Sequence, residues 1–533
     1  MVKNLKKIPI ILTIIIIIPS LISTSTIANL LDEESNINNL VFYEKGFRYE
    51  RKGWIYLHIE GEPYNRGFQY GYLASDEIID IIHRWCEWLR DKKLLNLFKD
   101  YNEKEFWNDF KDKVKGHFLK HIPKEYLQEL EGMAEGMNQN NVKLFDKKIE
   151  TEDIITLQFV QDIYYSFYKY PLKKYHPFRG AVSGFINFLL KLFGKNEDEH
   201  CIAFIATGDA SKNGEIVVAH STRFDPLISQ KCNIILDLKP TNGYHFLMTT
   251  FPGAIWSCED YYQNEQGIVL TETELPQGPW DEEGVPKGIR SRNAIQYSSS
   301  IDEVIDYLME GNNGLIPNEW LIGDIKTGEI ASLEQALYNT PIKRTYNGFY
   351  WSCNIAHSYS VKTELDGVPA TLIEKAIRVI PKIVLFPKVN KFIQIENDYY
   401  GRIDLDAAKI ILSLNPLSQD LTDGKISNSS LLKNMSLFTH FGNPDGSTFI
   451  ASKEEKQKYD NMADLPAYGW IKINPSEMVG IVLDGSDLLL NEPNKTDIHS
   501  NIYSSILILF LVISLIFIAI FSTSKYLKRR NKK

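Results

Sequence analysis

Five short runs after residue 200 set the terms for any fold of this chain: CIAFIATG, GEIVVAHST, NIILDL, YHFLMTTFPGAIWSC and QGIVLTETE. Each is rich in Ile, Val, Phe or Thr and is bounded by Gly, Asn or Asp, so each reads as a strand between turns. Asn213-Gly214 between the first two is a hairpin signal, because a tight type I′ turn needs residues that tolerate positive φ. A second hairpin is expected in NEWLIGDIKTGEIASLEQAL, turning at Lys326-Thr327-Gly328, and a helix precedes it over SRNAIQYSSSIDEVIDYLM. Strands from several places with helices in blocks between them predict an α+β layered sandwich.

Ahead of these runs the pattern changes. Residues 29–52 read as a short polar lead. A strand is expected from Trp54 to Ile59, then a turn through Gly61 and Pro63, then a helix whose apolar residues Ile78, Ile79, Ile82 and Trp85 recur at helical spacing. Helical patterns continue over 103–170, where the tyrosine-rich FVQDIYYSFYKY is read as core packing. Residues 29–200 are therefore expected as a mainly helical segment that ends in a compact apolar helix and the charged linker GKNEDEH, and 201–500 as the strand-rich core.

The two ends have another character. Lys3, Lys6 and Lys7, an apolar run from Ile8 to Ile22 and small polar residues up to Ala28 have the build of a secretory signal peptide over 1–28. The run from Ile502 to Phe521 is long enough, at about 1.5 Å per residue, to cross about 30 Å of hydrocarbon. A basic tail over 522–533 follows, with Lys525, Lys528, Arg529, Arg530, Lys532 and Lys533. Positive residues stay in the cytosol, so 502–521 is expected as a single transmembrane helix at the cell membrane, with the body outside the cytoplasm. The chain carries a net charge of −9, and setting aside the nine basic residues just named leaves about −18 for the body. An acidic body argues against nucleic acid as a partner, since phosphate needs a basic face.

The chain has five cysteines, Cys86, Cys201, Cys232, Cys258 and Cys353, without a CxxC pair, so no zinc ribbon is expected. Up to two disulfides among four of them would leave one free thiol. A thiol needs a base, and one source is the nucleophile's own α-amine, with a pKa near about 7.7–8.0. Cys201 would gain that amine if the chain were cut after His200, where an exposed charged linker meets an apolar strand. The alternative reading of Cys201 is a small buried hydrophobe at a strand start.

Taken in order, GEPYNRGFQYGYL, CIAFIATG with VVAHSTRFD, FPGAIWSCEDYY with GIVLTETEL, GNNGLIPNEWLIGD and YWSCNIAHS resemble the phospholipase B-like proteins and the related acyltransferases of the penicillin-acyl type, both N-terminal nucleophile (Ntn) hydrolases. The resemblance runs from about Gly53 to about Trp470. It implies a four-layer αββα sandwich and a precursor that cuts itself between His200 and Cys201. It also implies a catalytic set in which Cys201 is the nucleophile, His220 lies on the paired strand, Thr273 faces the nucleophile and Asn318 holds the oxyanion, for which an uncharged amide is a suitable donor. Where the family typically has His-Asn-Thr-Trp, this chain has His220, Ser221, Thr222 and Arg223, followed by Asp225. Arg223 and Asp225 are the candidate substrate-binding pair, with a surface ion pair as the plainer reading.

The expectation is thus a membrane-anchored, self-processing cysteine hydrolase that forms an acyl-enzyme and cleaves an amide or ester of an acyl-containing small molecule or lipid. It needs no cofactor and no metal. An acyltransferase of the penicillin-acyl type and a catalytically silent receptor ectodomain are the alternatives. His117 and His121, spaced i, i+4, are read as surface histidines rather than a metal pair.

Overall fold

The computed structural model describes residues 37–91, 102–170, 201–366, 387–459 and 461–475. The chain divides into two units, Met1–Ile473 and Asn474–Lys533, and every element below belongs to the first. Of the second, only residues 474 and 475 are described. The expected signal peptide (1–28), the linker before Cys201, the transmembrane run (502–521) and the basic tail lie outside the described residues. Among the described residues no helix is long and apolar enough to cross a membrane.

The protein is mixed α+β, built on two large sheets. The first contains β1 (Asn38–Tyr43), β2 (Gly46–Arg51), β3 (Trp54–Gly61), β6 (Ile234–Pro240), β7 (Phe246–Thr250), β8 (Tyr261–Asn264), β9 (Ile268–Glu274), β10 (Asn318–Asp324), β11 (Glu329–Gln335) and β12 (Ile342–Thr345), in that spatial order. Only β3 and β6 pair in parallel, and every other neighbour is antiparallel. The second sheet runs β13 (Gly348–Ser352), β4 (Ile202–Gly208), β5 (Gly214–Ser221), β14 (Asp423–Asn428), β15 (Leu437–Phe441) and β16 (Trp470–Ile473), all antiparallel. The hairpins expected at Gly214 and Gly328 join β4 to β5 and β10 to β11, and both glycines have positive φ.

Alternation along the strands decides what lies on each face. Ile202, Phe204, Ala206, Val217, Ala219 and Ile426 point away from the large sheet and pack against Phe392, Ile395, Ala408 and Ile411 of the two helices Pro387–Tyr399 and Leu405–Leu412. The opposite parity meets the large sheet: a β-carbon built on Gly323 of β10 would lie 3.0 Å from Ile205 and 3.4 Å from Ile216. The outer face of the large sheet is covered by α1 (Pro63–Leu73), α2 (Ser75–Asp91), α3 (Glu103–His117), α4 (Lys124–Gln139), α5 (Thr151–Gln158), α6 (Lys287–Tyr297) and α7 (Ile301–Met309), which share one apolar core with it.

The closest helix pair is α1 with α4, where glycines at i, i+4 face each other. A β-carbon on Gly67 would stand 1.8 Å from the Glu129 carbonyl oxygen and one on Gly71 1.9 Å from that of Met133; one on Gly132 would meet the Tyr64 oxygen at 2.0 Å. No side chain fits between these backbones. The pair is further tied by Arg66, whose guanidinium donates to buried Glu129 at 2.7 Å and to Glu125 at 2.6 Å.

Three expectations change. The polar lead over 29–52 is structured from residue 38, because β1 and β2 add as a hairpin to the edge of β3. The single helix expected over SRNAIQYSSSIDEVIDYLM is two, broken where Ser300 caps the second by accepting from the Glu303 N–H. His117 ends α3 while His121 sits in a separate 3₁₀ turn, so the two do not share a helix face. Residues 29–200 supply three strands as well as helices, and β3 joins the core sheet directly beside β6.

Candidate active site

Cys201 stands one residue before β4 and is 6% exposed. The chain leaving β5 runs past its sulfur: the Arg223 N–H points at Sγ from 3.5 Å, and the Arg223 carbonyl lies 3.8 Å away, within reach of the thiol proton. An N–H aimed at sulfur is a donor for the charge a thiolate would carry.

Strand register gathers the polar residues. Ala203, two residues on from Cys201, is paired with Ser352 on one side and with His220 on the other, and His220 is paired in turn with Lys425. Cross-strand partners share a face, so these four form a row looking into the space between the sheets. From the opposite sheet Thr273 reaches this row: its hydroxyl lies 2.5 Å from that of Ser352 and accepts from the Asn354 N–H at 3.2 Å.

His220 has no exposed surface, and neither ring nitrogen has a hydrogen-bond partner of normal geometry. Burial holds the ring well below the usual imidazole range; the Lys425 and Lys287 ammoniums add to this, with the Glu272 backbone opposing. It is a neutral base at pH 7. A carboxylate absent from the sequence expectations joins it: ligand-type atoms of Cys201, His220 and Asp260 all lie within 4.8 Å of one another. Asp260 sits in the turn before β8 at φ 57°, held by the Thr271 hydroxyl, which donates to its carbonyl at 2.7 Å.

Two acid clusters with one lysine each surround this trio. Lys287 contacts Glu272 closely and Asp260 at 3.7 Å. Lys425 contacts Asp423 closely and Glu259 at 3.9 Å, and donates to the Thr222 hydroxyl at 2.8 Å. Burial pushes Glu272 and Glu259 well above the usual carboxyl range; Asp260 and Asp423 respectively add to it, while the lysines oppose. The donor atoms of Cys232, Cys258 and Glu259 also converge within 4.8 Å. In both places an ammonium sits within 4 Å of the acid and opposes a cation. All five cysteines are free thiols.

The other expected site residues are placed as follows. Asn318 opens β10 opposite Glu274 of β9 and Gln335 of β11. Its Nδ2 donates to the Ile316 carbonyl at 2.9 Å, which leaves one amide hydrogen free, and its buried Oδ1 has no partner. The Arg223 side chain forms an ion pair with Asp420 at 3.1 Å. Asp225 caps the short helix Pro226–Ser229 by accepting from the Leu227 N–H at 3.1 Å. Lys388, at the start of the helix Pro387–Tyr399, is a further cation of this region: burial lowers it to about 8, with Arg223 adding to the shift while Cys353 and Cys201 oppose it.

Comparison with known proteins places this site within a family. An uncharacterized protein of Archaeoglobus fulgidus is 20% identical over 286 residues, a match covering 52% of this chain and 42% of that protein, so the chain spans less than half of the relative's length. Two crystal structures of conjugated bile acid hydrolase from Clostridium perfringens, both of substituted variants, are similar at 15% and 14% identity. Their TM-scores are 0.31 and 0.24, with 52% and 53% of this chain covered and 93% and 86% of theirs. The Phospholipase B family model matches residues 48–338, more than half of the sequence, and that stretch holds Cys201, His220, Asp260, Thr273 and Asn318 alike: the chain belongs to the phospholipase B family.

Proposed function

We propose that this protein is a self-processing cysteine hydrolase of the Ntn type, an αββα sandwich that cleaves an amide or ester bond of an acyl substrate through an acyl-enzyme on Cys201. The observation that carries the reading is the buried Cys201 thiol at the mouth of β4, with the Arg223 N–H aimed at it and neutral His220 beside it. After the chain is cut behind His200, the new α-amine takes the thiol proton and Sγ attacks the substrate carbonyl. The tetrahedral oxygen is held by the free amide hydrogen of Asn318. The amine returns the proton to the leaving group, and water then releases the acyl chain. Thr273, locked to Ser352, keeps the two sheets in register at the nucleophile.

The acyl group is lipid-like in this reading, and the run 502–521 tethers the catalytic body to the outer side of a membrane. Family membership supports a hydrolase acting on acyl esters or amides. Acyl transfer to an amine differs only in what attacks the acyl-enzyme. A silent scaffold is disfavoured by an orphaned buried histidine beside a thiol, which is expensive to keep without chemistry.

The test is labelling of the purified protein with acyl probes that carry an electrophile, followed by mapping of the modified residue and identification of the product from a panel of phospholipids and N-acyl amides. The expected result is two fragments with Cys201 at a new N-terminus, and labelling on Cys201 alone. A single uncut chain that ignores every probe would favour the scaffold.

A further inference from the structure

Self-cleavage poses a problem that turnover does not. While the chain is intact, the Cys201 nitrogen is an amide and has no basicity, so the thiol proton must go elsewhere. The structure brings two groups to the sulfur, His220 and Asp260, and one ligand-type atom of each of the three lies within 4.8 Å of the others.

We propose that Asp260 is a positioning residue that orients His220 as the base for self-cleavage, a role confined to the step before the Cys201 α-amine exists. This rests on the self-processing reading above. Neither ring nitrogen of His220 has a hydrogen-bond partner of normal geometry, the Glu272 backbone being the polar group that acts on the ring, and Asp260 is the nearby carboxylate. If one N–H donates to Asp260, the other nitrogen is left as an acceptor facing Sγ, the logic by which a buried carboxylate fixes a catalytic tautomer. Such contacts lengthen in resting structures and tighten in the reacting complex. Two further features fit. Asp260 has a left-handed backbone, φ 57°, sparsely populated by side-chain-bearing residues and enriched at functional positions. Burial raises the Asp260 carboxyl, while Lys287, 3.7 Å away, and a hydrogen bond with Glu272 oppose this and favour its charged form.

The step balances without a co-reactant other than water. The thiol proton moves to the free nitrogen of His220 while Sγ forms a bond to the His200 carbonyl carbon. The C–N bond to Cys201 breaks, and the imidazolium gives its proton to that nitrogen, which becomes the α-amine. Water then adds to the thioester, the C–S bond breaks, the His200 carboxylate and the thiol are released, and the remaining proton goes to the new α-amine. The ammoniums that act on His220 are those of Lys425 from β14 and Lys287 from α6, and the acids paired with them are Asp423 from β14, Glu272 from β9, and Glu259 and Asp260 from the turn before β8.

The experiment follows the uncut full chain by gel after synthesis, in the parent and in Asp260→Asn, Asp260→Glu, His220→Ala and the His220→Ala/Asp260→Asn pair. Asp260→Asn is expected to slow cutting about 100-fold or more, and Asp260→Glu to recover at least about tenfold of that loss. The paired variant should be no slower than His220→Ala alone, because residues acting as a unit are not additive. Removing the carboxylate should also move the acid limb of the cutting rate to lower pH; simple loosening of the site would admit water and move it up toward about 6.5, the ordinary imidazole value. A companion chain, with residues 196–200 replaced by a protease recognition site, is cut from outside to expose Cys201. In that form the loss of acyl turnover in Asp260→Asn should be at least about tenfold smaller than the loss of cutting rate, since the α-amine then takes the thiol proton. Parental-rate cutting in Asp260→Asn, an upward pH shift, or equal loss of turnover in the pre-cut form overturns this inference alone. A parent chain that never cuts overturns the self-processing reading as well.

Discussion

Thr273 of β9 and Ser352 of β13 belong to different sheets, yet their hydroxyl oxygens lie 2.5 Å apart, both fully buried. The bond is a pin between the sheets at the end where Cys201 emerges, because Ser352 is the register partner of Ala203. Thr273→Val keeps the shape and leaves the Ser352 hydroxyl and the Asn354 N–H without their partner. Each stranded polar group costs about 1–3 kcal/mol, so a loss of roughly that size in denaturant stability is expected, together with a fall in kcat/KM. Thr273→Ser, which retains the hydroxyl, should keep most of both. Activity unchanged in Thr273→Val would remove Thr273 from the site.

Asn318 separates transition-state stabilisation from binding. One of its amide hydrogens is engaged with the Ile316 carbonyl, and the proposed mechanism gives the other to the oxyanion. In Asn318→Ala, kcat should fall by about 10²–10³ with little change in KM. Turnover at the parental rate on the cut fraction would instead assign the oxyanion to backbone donors.

Arg223 offers the opposite split. Its backbone serves Cys201, so Arg223→Ala leaves those contacts in place and removes only the guanidinium. The pair it forms with Asp420 is half open to solvent, the acid being 58% exposed, and such pairs contribute about 0–1 kcal/mol. Thermal stability should therefore change little. If the guanidinium holds an anionic part of the substrate, KM should rise far more than kcat falls, and more so at low salt. Equal KM at high and low salt would leave Arg223 with a backbone role only.

What could be read from the sequence follows the range of the interactions involved. The strands after Cys201 were legible because Ile- and Val-rich runs between glycine turns are local signals, and the hairpin at Gly214 turns as expected. The strands β1 and β2 were not, because NNLVFY and GFRYER lie in a stretch rich in Asn, Glu and Lys and become strands by adding to the edge of β3. Asp260 was hidden for a related reason. In SCEDYY it looks like a loop acid, and it is buried only because the inner faces of two sheets, separated by dozens of residues, close over it. Asp225, by contrast, stands one residue before Pro226, the usual place of a helix cap, and its carboxylate accepts from the Leu227 N–H there.

The α1–α4 contact is a sharp test of the packing. Gly71→Ala would set a methyl 1.9 Å from the Met133 carbonyl oxygen, which is backbone and cannot rotate away. The helices must separate, and overpacking of this kind costs about 1–3 kcal/mol or more. Gly116→Ala, at an open position of α3 with nothing within 4 Å, is the control and should be neutral or slightly stabilising. Equal melting temperatures for the two variants would mean that the helices do not meet backbone to backbone.

Stability should also depend on pH through a cluster far along the large sheet. Asp237 of β6 accepts from the Tyr56 hydroxyl at 2.6 Å, lies 2.7 Å from His58 Nδ1 and is in close contact with His245 Nε2. Burial alone would raise the Asp237 carboxyl, but His245 and His58 hold it well below the usual range. Burial alone would lower His245, and Asp237 overrides this to raise it. A depressed acid stabilises the fold above its unfolded pKa, about 3.9, and that contribution is lost as pH falls through the folded value. A raised histidine stabilises fully below its unfolded pKa, about 6.5, and that contribution is lost as pH rises through the folded value. The melting temperature of the parent should therefore be highest between about pH 4 and 6.5 and decline above it. His245→Gln should lower the maximum and flatten the decline above about pH 6.5, while Asp237→Asn should also weaken the acid limb and leave both imidazoles without their acceptor. An alkaline decline of the same size in His245→Gln and in the parent would rule out the Asp237–His245 contact as its source.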